Sequence, residues 1–120
     1  TEEDALSGRR FDDVVAISSN PVPAYYAERR FFEHEGFDVP YRCLVPADLD
    51  GLLLAGRCIS CEQVPFQSAR SMAPLMAVSQ ASGLAAAMCV RRGARPRDLG
   101  VAELQRALLE AGAELRMDRP

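Results

Sequence analysis

The chain of 120 residues contains no tryptophan, no lysine and a single histidine. Arginine alone supplies its basic charge, which is typical of the coding bias of a GC-rich genome. The formal net charge is −3, so the chain lacks the basic balance of a general nucleic-acid binder. No apolar run approaches the roughly 20 residues of a membrane span. We therefore expect neither a nucleic acid nor a membrane as its partner.

The start of the chain also lacks two features. It begins at Thr1 without a methionine, and Glu2, Glu3 and Asp4 stand where a secretory signal peptide would be basic. We expect a cytoplasmic protein with reduced thiols. Because the sequence offers only one clear buried strand to organise two helices, we also expect it to be a piece of a longer protein.

The sequence has no strong motif for metal or nucleophilic chemistry. It contains no G-x-G-x-x-G and no Ser/His/Asp order. Cys58 and Cys61 form a C-x-x-C pattern, which serves as a redox dithiol or as half of a zinc site. The other candidate zinc ligands, Cys43, Cys89 and His34, stand at no recognisable spacing. We favour two ordinary thiols beside a turn, expect no metal, and leave the catalytic residues unassigned.

The most informative stretch runs from Gly51 to Ser60, where an apolar run ends in Gly-Arg. Leu52 to Ala55 is apolar on both faces and predicts a buried strand. A long helix of small residues begins about ten residues later. A buried strand, a glycine turn and a helix N-terminus together present backbone N–H groups to an anionic or electron-rich ligand.

Two helices are predicted in the second half of the chain. The first runs from about Met72 to Arg92, with Pro74 in its first turn and Gly93 at its C-terminal cap. The second covers about 101–111, where apolar residues recur on one face.

The first half is harder to interpret. The segment 11–18 fits either a capped short helix or a strand, and 24–35 predicts no clear element. Residues 38–46 fit a short edge strand that tolerates proline. The fold class predicted from these elements is α/β, in the form of an α+β fragment.

Small and basic residues surround the proposed turn. The small residues Ser79, Ser82, Gly83 and Ala86 recur in the long helix at spacings of three and four, so they share a face that a flat ligand or a sheet could approach closely. From composition alone, plain packing against a sheet is the commoner reason for such a face. Arg57 and Arg70 flank the turn, and arginine there can hold a phosphate, a carboxylate or a flavin carbonyl.

Taken in order, these segments resemble the C-terminal part of a family of FAD-dependent oxidoreductases with the glutathione-reductase-like flavin fold. The resemblance holds over roughly residues 8–115. The matching segments are Gly8 to Asp13, Val39 to Pro46, Leu52 to Ser60, Ser68 to Met72, Gln80 to Ala87 and Leu99 to Gly112.

The resemblance implies FAD as the cofactor and assigns residues to its flavin. Gly56 and Arg57 would touch the cofactor, and Ser68, Arg70 and Met72 would lie next to the ring edge. Further along the helix, Gln80 and Gly83 would pack behind the ring. Residues 1–48 would belong to the substrate domain, and 49–120 would form the C-terminal strand–helix–helix part of the FAD-binding domain.

The chain departs from the family pattern at Gln63, where a histidine is frequent, and at Gln67, where a glycine is frequent. In the intact enzyme, hydride would pass between substrate and flavin. The 120 residues alone are expected to be inactive and to need the missing N-terminal FAD-binding part. The alternative is a non-catalytic module that folds by homo-oligomerisation, and a thiol protein using Cys58 and Cys61 ranks last.

Overall fold

The computed structural model describes residues 1–20 and 36–116. These residues form a two-stranded antiparallel sheet, four α-helices and three short 3-10 turns. In chain order the elements are α1 (Glu2–Ser7), β1 (Val14–Ser18), β2 (Phe37–Pro40), α2 (Gln63–Ala69), α3 (Met72–Arg92) and α4 (Val101–Glu110), with 3-10 turns at Tyr41–Leu44, Gly56–Cys58 and Pro96–Asp98. The predicted α/β class is confirmed.

The sheet joins the two strands in antiparallel register, with Val14 opposite Pro40 and Ser18 opposite Phe37. The segment 11–18, which fitted a helix or a strand, thus contains a strand. Its β-branched residues Val14 and Val15 lie buried against the helices, where such side chains pack well, and Ile17 is partly exposed. The segment 24–35 lies outside the described residues.

Gly36 is required by the close approach of the two strands. Its φ is +99°, and a Cβ placed there would lie 2.2 Å from the backbone oxygen of Ser18. Any other residue would meet both a strained backbone and a clash with the neighbouring strand.

Helix α3 has the bounds that the sequence predicts. It begins after Ser71, and Gly93 ends it in the left-handed conformation with φ 63°. Helix α3 packs on β1 and α4. Its buried residues, called here the inner face, are Pro74, Val78, Ala81, Ser82, Ala85 and Cys89. Helix α4 ends one residue before the predicted boundary, a difference within the usual fraying of helix ends.

The predicted buried strand at Leu52–Ala55 is wrong. These residues are in no ladder of the described sheet, and Leu52 is 42% exposed. The N–H of Leu54 donates to the oxygen of Leu44 at 2.8 Å. An apolar run forms a strand only where another strand pairs with it, and β1 and β2 pair with each other instead.

The predicted edge strand at 38–46 is correct only in its first part. Strand β2 covers Phe37–Pro40, and the chain then turns into the 3-10 turn Tyr41–Leu44. Buried Tyr41 and Leu44 leave the sheet edge there and point into the core.

Among the described residues, α3 alone is long and apolar enough to cross a membrane, with 21 residues and a mean hydropathy of 1.4. The sequence-based expectation that no apolar run reaches the length of a membrane span is therefore wrong for α3. Its alanines keep the mean hydropathy high. One third of the apolar window is buried within the fold. Packing on β1 and α4 accounts for that buried part.

Candidate functional site

The Gly-Arg turn lies against the start of α3. Gly56 opens the 3-10 turn with φ +73°, and a Cβ there would meet nothing within 4 Å. Glycine is thus needed for the backbone conformation, and the space beside it is open. Arg57 is exposed, and its Nε donates to the backbone oxygen of Arg70 at 3.3 Å. This hydrogen bond joins the turn to the C-cap of α2, two residues before α3 begins.

The first turn of α3 has unused backbone donors. Ser71 is its N-cap, but its side chain makes no capping hydrogen bond, and the first turn contains no acidic residue. Within the described part of the chain, nothing accepts from the N–H groups of Met72 and Ala73. These groups lie at the positive end of the macrodipole of a 21-residue helix.

The two arginines add positive charge to this end of the helix. Neither Arg57 nor Arg70 forms an ion pair with a carboxylate of the residues that the structure describes. By contrast, Arg92 at the far end of α3 pairs with Glu103 of α4. The start of α3 is therefore an electropositive corner with available donors.

The side chain of Ser68 is buried, not exposed at this corner. It is fully buried, and its hydroxyl is 2.8 Å from the hydroxyl of Ser18 on β1. It also donates to the backbone oxygen of Asn20. The hydroxyl of Ser68 therefore holds the end of α2 against β1 through the hydrogen bond to Ser18.

The remaining assigned residues follow the exposed side of α3. Met72 is 77% exposed, and Gln80 and Gly83 are also exposed. At about 1.5 Å per residue, Gln80 is about 12 Å and Gly83 about 16 Å along the helix from Met72. The structure thus brings together Gly56, Arg57, Arg70 and Met72, while Gln80 and Gly83 extend the same exposed side.

The predicted small-residue face is divided between two sides of the helix. Ser79, Gly83 and Ala86 are exposed, whereas Ser82 is buried against the fold. A spacing of three from Ser79 to Ser82 is a turn of about 300°, which carries Ser82 past the edge of the exposed side. We call the exposed line of residues the outer stripe, and its members are Met72, Met76, Ser79, Gly83, Ala86 and Val90.

The C-x-x-C residues do not form a metal centre in the described part of the chain. No group of three or more His, Cys, Asp or Glu side chains there could hold a metal ion. His34 lies outside the described residues. The sulfur of Cys58 donates to the backbone oxygen of Ala55 at 3.0 Å.

Sequence reasoning missed the buried carboxylate of Asp38, which contacts residues 10 and 11 in space. Asp38 of β2 accepts from the N–H of Phe11 at 3.1 Å and lies 3.6 Å from Nε of Arg10. Arg116 lies 3.8 Å from its other oxygen, which has no hydrogen-bond partner among the described residues. The motif from Gly8 to Asp13 thus has a packing role that only the paired strands reveal.

The chain matches the family model described as FAD dependent oxidoreductase over residues 1–108. This match covers most of the sequence. The chain belongs to the FAD-dependent oxidoreductase family. No curated protein and no solved structure matches it.

The corner at the start of α3 fits an FAD-dependent oxidoreductase. A flavin offers carbonyl oxygens and a ring edge that becomes negative on reduction. The N–H groups of Met72 and Ala73, together with Arg57 and Arg70, which form no ion pair among the described residues, would supply donors and positive charge for such an edge. The backbone at Gly56 is open to close approach within the described part of the chain.

Proposed function

We propose that this chain is the C-terminal portion of an FAD-dependent oxidoreductase with the glutathione-reductase-like flavin fold. The start of α3 then faces the pyrimidine edge of the isoalloxazine ring. The observation that carries this proposal is the uncapped start of a 21-residue helix lying between Arg57 and Arg70.

Each assigned residue has a distinct role in this arrangement. Gly56 gives the ring access to the backbone, and Arg57 and Arg70 supply positive charge beside it. Met72 offers its backbone N–H group. Ser68 acts indirectly. Its hydrogen bond to Ser18 of β1 holds the end of α2, and therefore the start of α3, in place.

The outer stripe continues the same contact surface. Gln80 and Gly83 would pack behind the ring, where a glycine leaves the helix backbone open to close approach. Met72 and Met76, at 77% and 71% exposed, offer apolar area to the remaining protein. We propose that the missing N-terminal FAD-binding part covers this stripe, with homo-oligomerisation as a further contribution.

When bound, FAD would supply the hydride-transfer chemistry of the intact enzyme. The task of this chain is electrostatic, because a helix N-terminus and arginines stabilise negative charge near N1 and O2. Residues 1–48 would contribute to the substrate side. Gln63 stands where the family often has histidine, so the proton donor or acceptor for the reaction is expected elsewhere in the intact enzyme.

The chain also lacks the G-x-G-x-x-G motif that grips the ADP half of FAD. We therefore expect the 120 residues alone to retain no stoichiometric FAD and to be inactive. The test is the flavin absorbance of the purified full-length enzyme and of the isolated 120 residues. One FAD per full-length chain and none on the isolated segment supports the proposal. A full-length protein that binds no FAD contradicts it.

A further inference from the structure

Cys43 and Cys61 line one cavity of about 230 Å³, which lies between α1, β2 and the segment before α2. They are eighteen positions apart in sequence, and no motif joins them. The backbone N–H of Ser60 donates to the oxygen of Cys43 at 3.1 Å. Cys61 follows Ser60 directly, so one backbone hydrogen bond brings the two cysteine positions side by side.

The other two cysteines, Cys58 and Cys89, do not line this cavity. Cys58 does not line the cavity, and its sulfur is engaged with the oxygen of Ala55 in its own 3-10 turn. Cys89 is buried on the inner face of α3. The fold therefore keeps the sulfur of Cys58 in its own turn and places Cys43, not Cys58, beside Cys61 in the cavity.

We propose that Cys43 and Cys61 are an oxidisable pair that closes to a disulfide across this cavity. A disulfide requires Cα atoms about 4.4–6.8 Å apart. Cys61 is adjacent to Ser60, whose N–H is hydrogen-bonded to the backbone oxygen of Cys43, so the backbone at the two cysteines is already held close. Cys43 is half-buried and Cys61 is exposed, so an oxidant from solution reaches Cys61 first.

The oxidant in this reaction is a small disulfide of the oxidised-glutathione class. The Cys61 thiolate attacks one of its sulfurs, forming a mixed disulfide and releasing one small thiol. The Cys43 thiolate then attacks the Cys61 sulfur and releases the second small thiol. Two protein thiols lose two electrons and two protons, and the small disulfide gains them.

Burial slows the reaction of the pair, because disulfide exchange and metal binding both need the thiolate. Burial raises the pKa of the Cys43 thiol, and burial together with the nearby Cys43 raises that of Cys61. Closure of the pair is therefore expected to become faster as the pH rises. The charged groups that line the same cavity are the N-terminal ammonium of Thr1 and the side chains of Asp4, Asp38 and Arg42.

The bond would join the two ends of the segment from Cys43 to Cys61, which contains the Gly56–Cys58 turn. Cys43 belongs to the 3-10 turn after β2, and Cys61 immediately precedes the N-cap of α2. Closing the pair therefore ties the loop between them at both ends and limits its opening.

The test is peptide mapping of the purified protein after incubation with oxidised glutathione. Trypsin cleaves after Arg42, Arg57 and Arg70, so Cys43 falls in peptide 43–57 and both Cys58 and Cys61 fall in peptide 58–70. We expect the two peptides to be joined under non-reducing conditions. Cys58→Ser should leave the joined product unchanged, whereas Cys61→Ser and Cys43→Ser should each abolish it.

A disulfide confined to peptide 58–70 would show that Cys58 and Cys61 pair, and it would overturn the proposal. Mixed glutathione adducts without any joined peptides would overturn it too. Circular dichroism of each serine variant checks that the helices are intact. If Cys43→Ser or Cys61→Ser fails to fold, the Cys58→Ser protein decides the question. It retains Cys43 and Cys61, so joined peptides 43–57 and 58–70 can contain only the bond between these two residues.

Discussion

The two sides of α3 contain similar residues but have different surroundings. The inner face carries Val78 and three small residues, and the outer stripe carries Val90 and three small residues. Val78 is fully buried against the fold, whereas Val90 is 83% exposed. Residue type alone therefore does not distinguish the side that holds the core together from the side that is available to a ligand.

The difference follows from what lies opposite each side. Strand β1 and helix α4 cover the inner face. Within the described residues, the outer stripe has exposed methionines at two successive turns. An exposed apolar line of this kind commonly marks a contact with another protein surface or a ligand.

The largest effect is expected from truncating the same residue on each side. Val78→Ala removes buried methyl groups and leaves a cavity, so we expect a loss of about 2–3 kcal/mol in the free energy of unfolding. Val90→Ala should change it by less than about 0.5 kcal/mol. Urea unfolding followed by circular dichroism measures both. Equal effects would mean that the inner face is not the packed side.

A second prediction sharpens the description of the inner side. Tyr41 is buried, and its hydroxyl donates to the oxygen of Pro96 at 2.9 Å. Burial, with a smaller contribution from Cys89 on the inner face, raises the pKa of Tyr41 from 10.0 to about 12. Tyr41→Phe should therefore cost about 1 kcal/mol at neutral pH.

The pH dependence of that loss has a definite sign. A raised pKa in the folded state means that the stabilisation is complete below pH 10 and is lost as the pH rises towards 12. The stability difference between wild type and Tyr41→Phe should accordingly shrink above pH 10. A constant difference across this range would contradict a buried, hydrogen-bonded hydroxyl.

The smallest effect is expected on the outer stripe itself. Gly83 lies inside α3, and a Cβ there would meet nothing within 4 Å. Gly83→Ala should raise the free energy of unfolding of the 120 residues by about 0.5–1 kcal/mol through helix propensity. In the full-length enzyme the same change should weaken FAD retention if the ring packs closely here. A stabilised enzyme with unchanged FAD affinity would remove Gly83 from the site.

The sequence predicted α3 well because its signals are local. Pro74 fits only a first helical turn, and Gly93 supplies the left-handed cap. The run at Leu52–Ala55 was misassigned because a strand depends on a distant partner. The neighbours Cys43 and Cys61 could not be predicted, because only the packing of β2 against the segment before α2 brings them together.

The candidate corner was predictable in part. Arg57 and Arg70 were expected to flank the same turn, and the structure joins them through a hydrogen bond. The inward orientation of Ser68 was not predictable, because it depends on the hydroxyl of Ser18 fifty residues earlier. The match to the FAD-dependent oxidoreductase family identifies the cofactor class, and the site assignments remain predictions.

The most direct test is the dissociation constant of FAD in full-length enzymes carrying Arg57→Ala, Arg70→Ala or Arg91→Ala, measured by flavin fluorescence. Arg91 is the control because it is exposed at the opposite end of α3, whereas Arg92 pairs with Glu103. Losing a charge-assisted hydrogen bond of about 1.5–3 kcal/mol should weaken FAD binding roughly 10- to 100-fold in the first two variants. The control should bind like wild type. If all three variants bind FAD as wild type does, the start of α3 does not face the flavin.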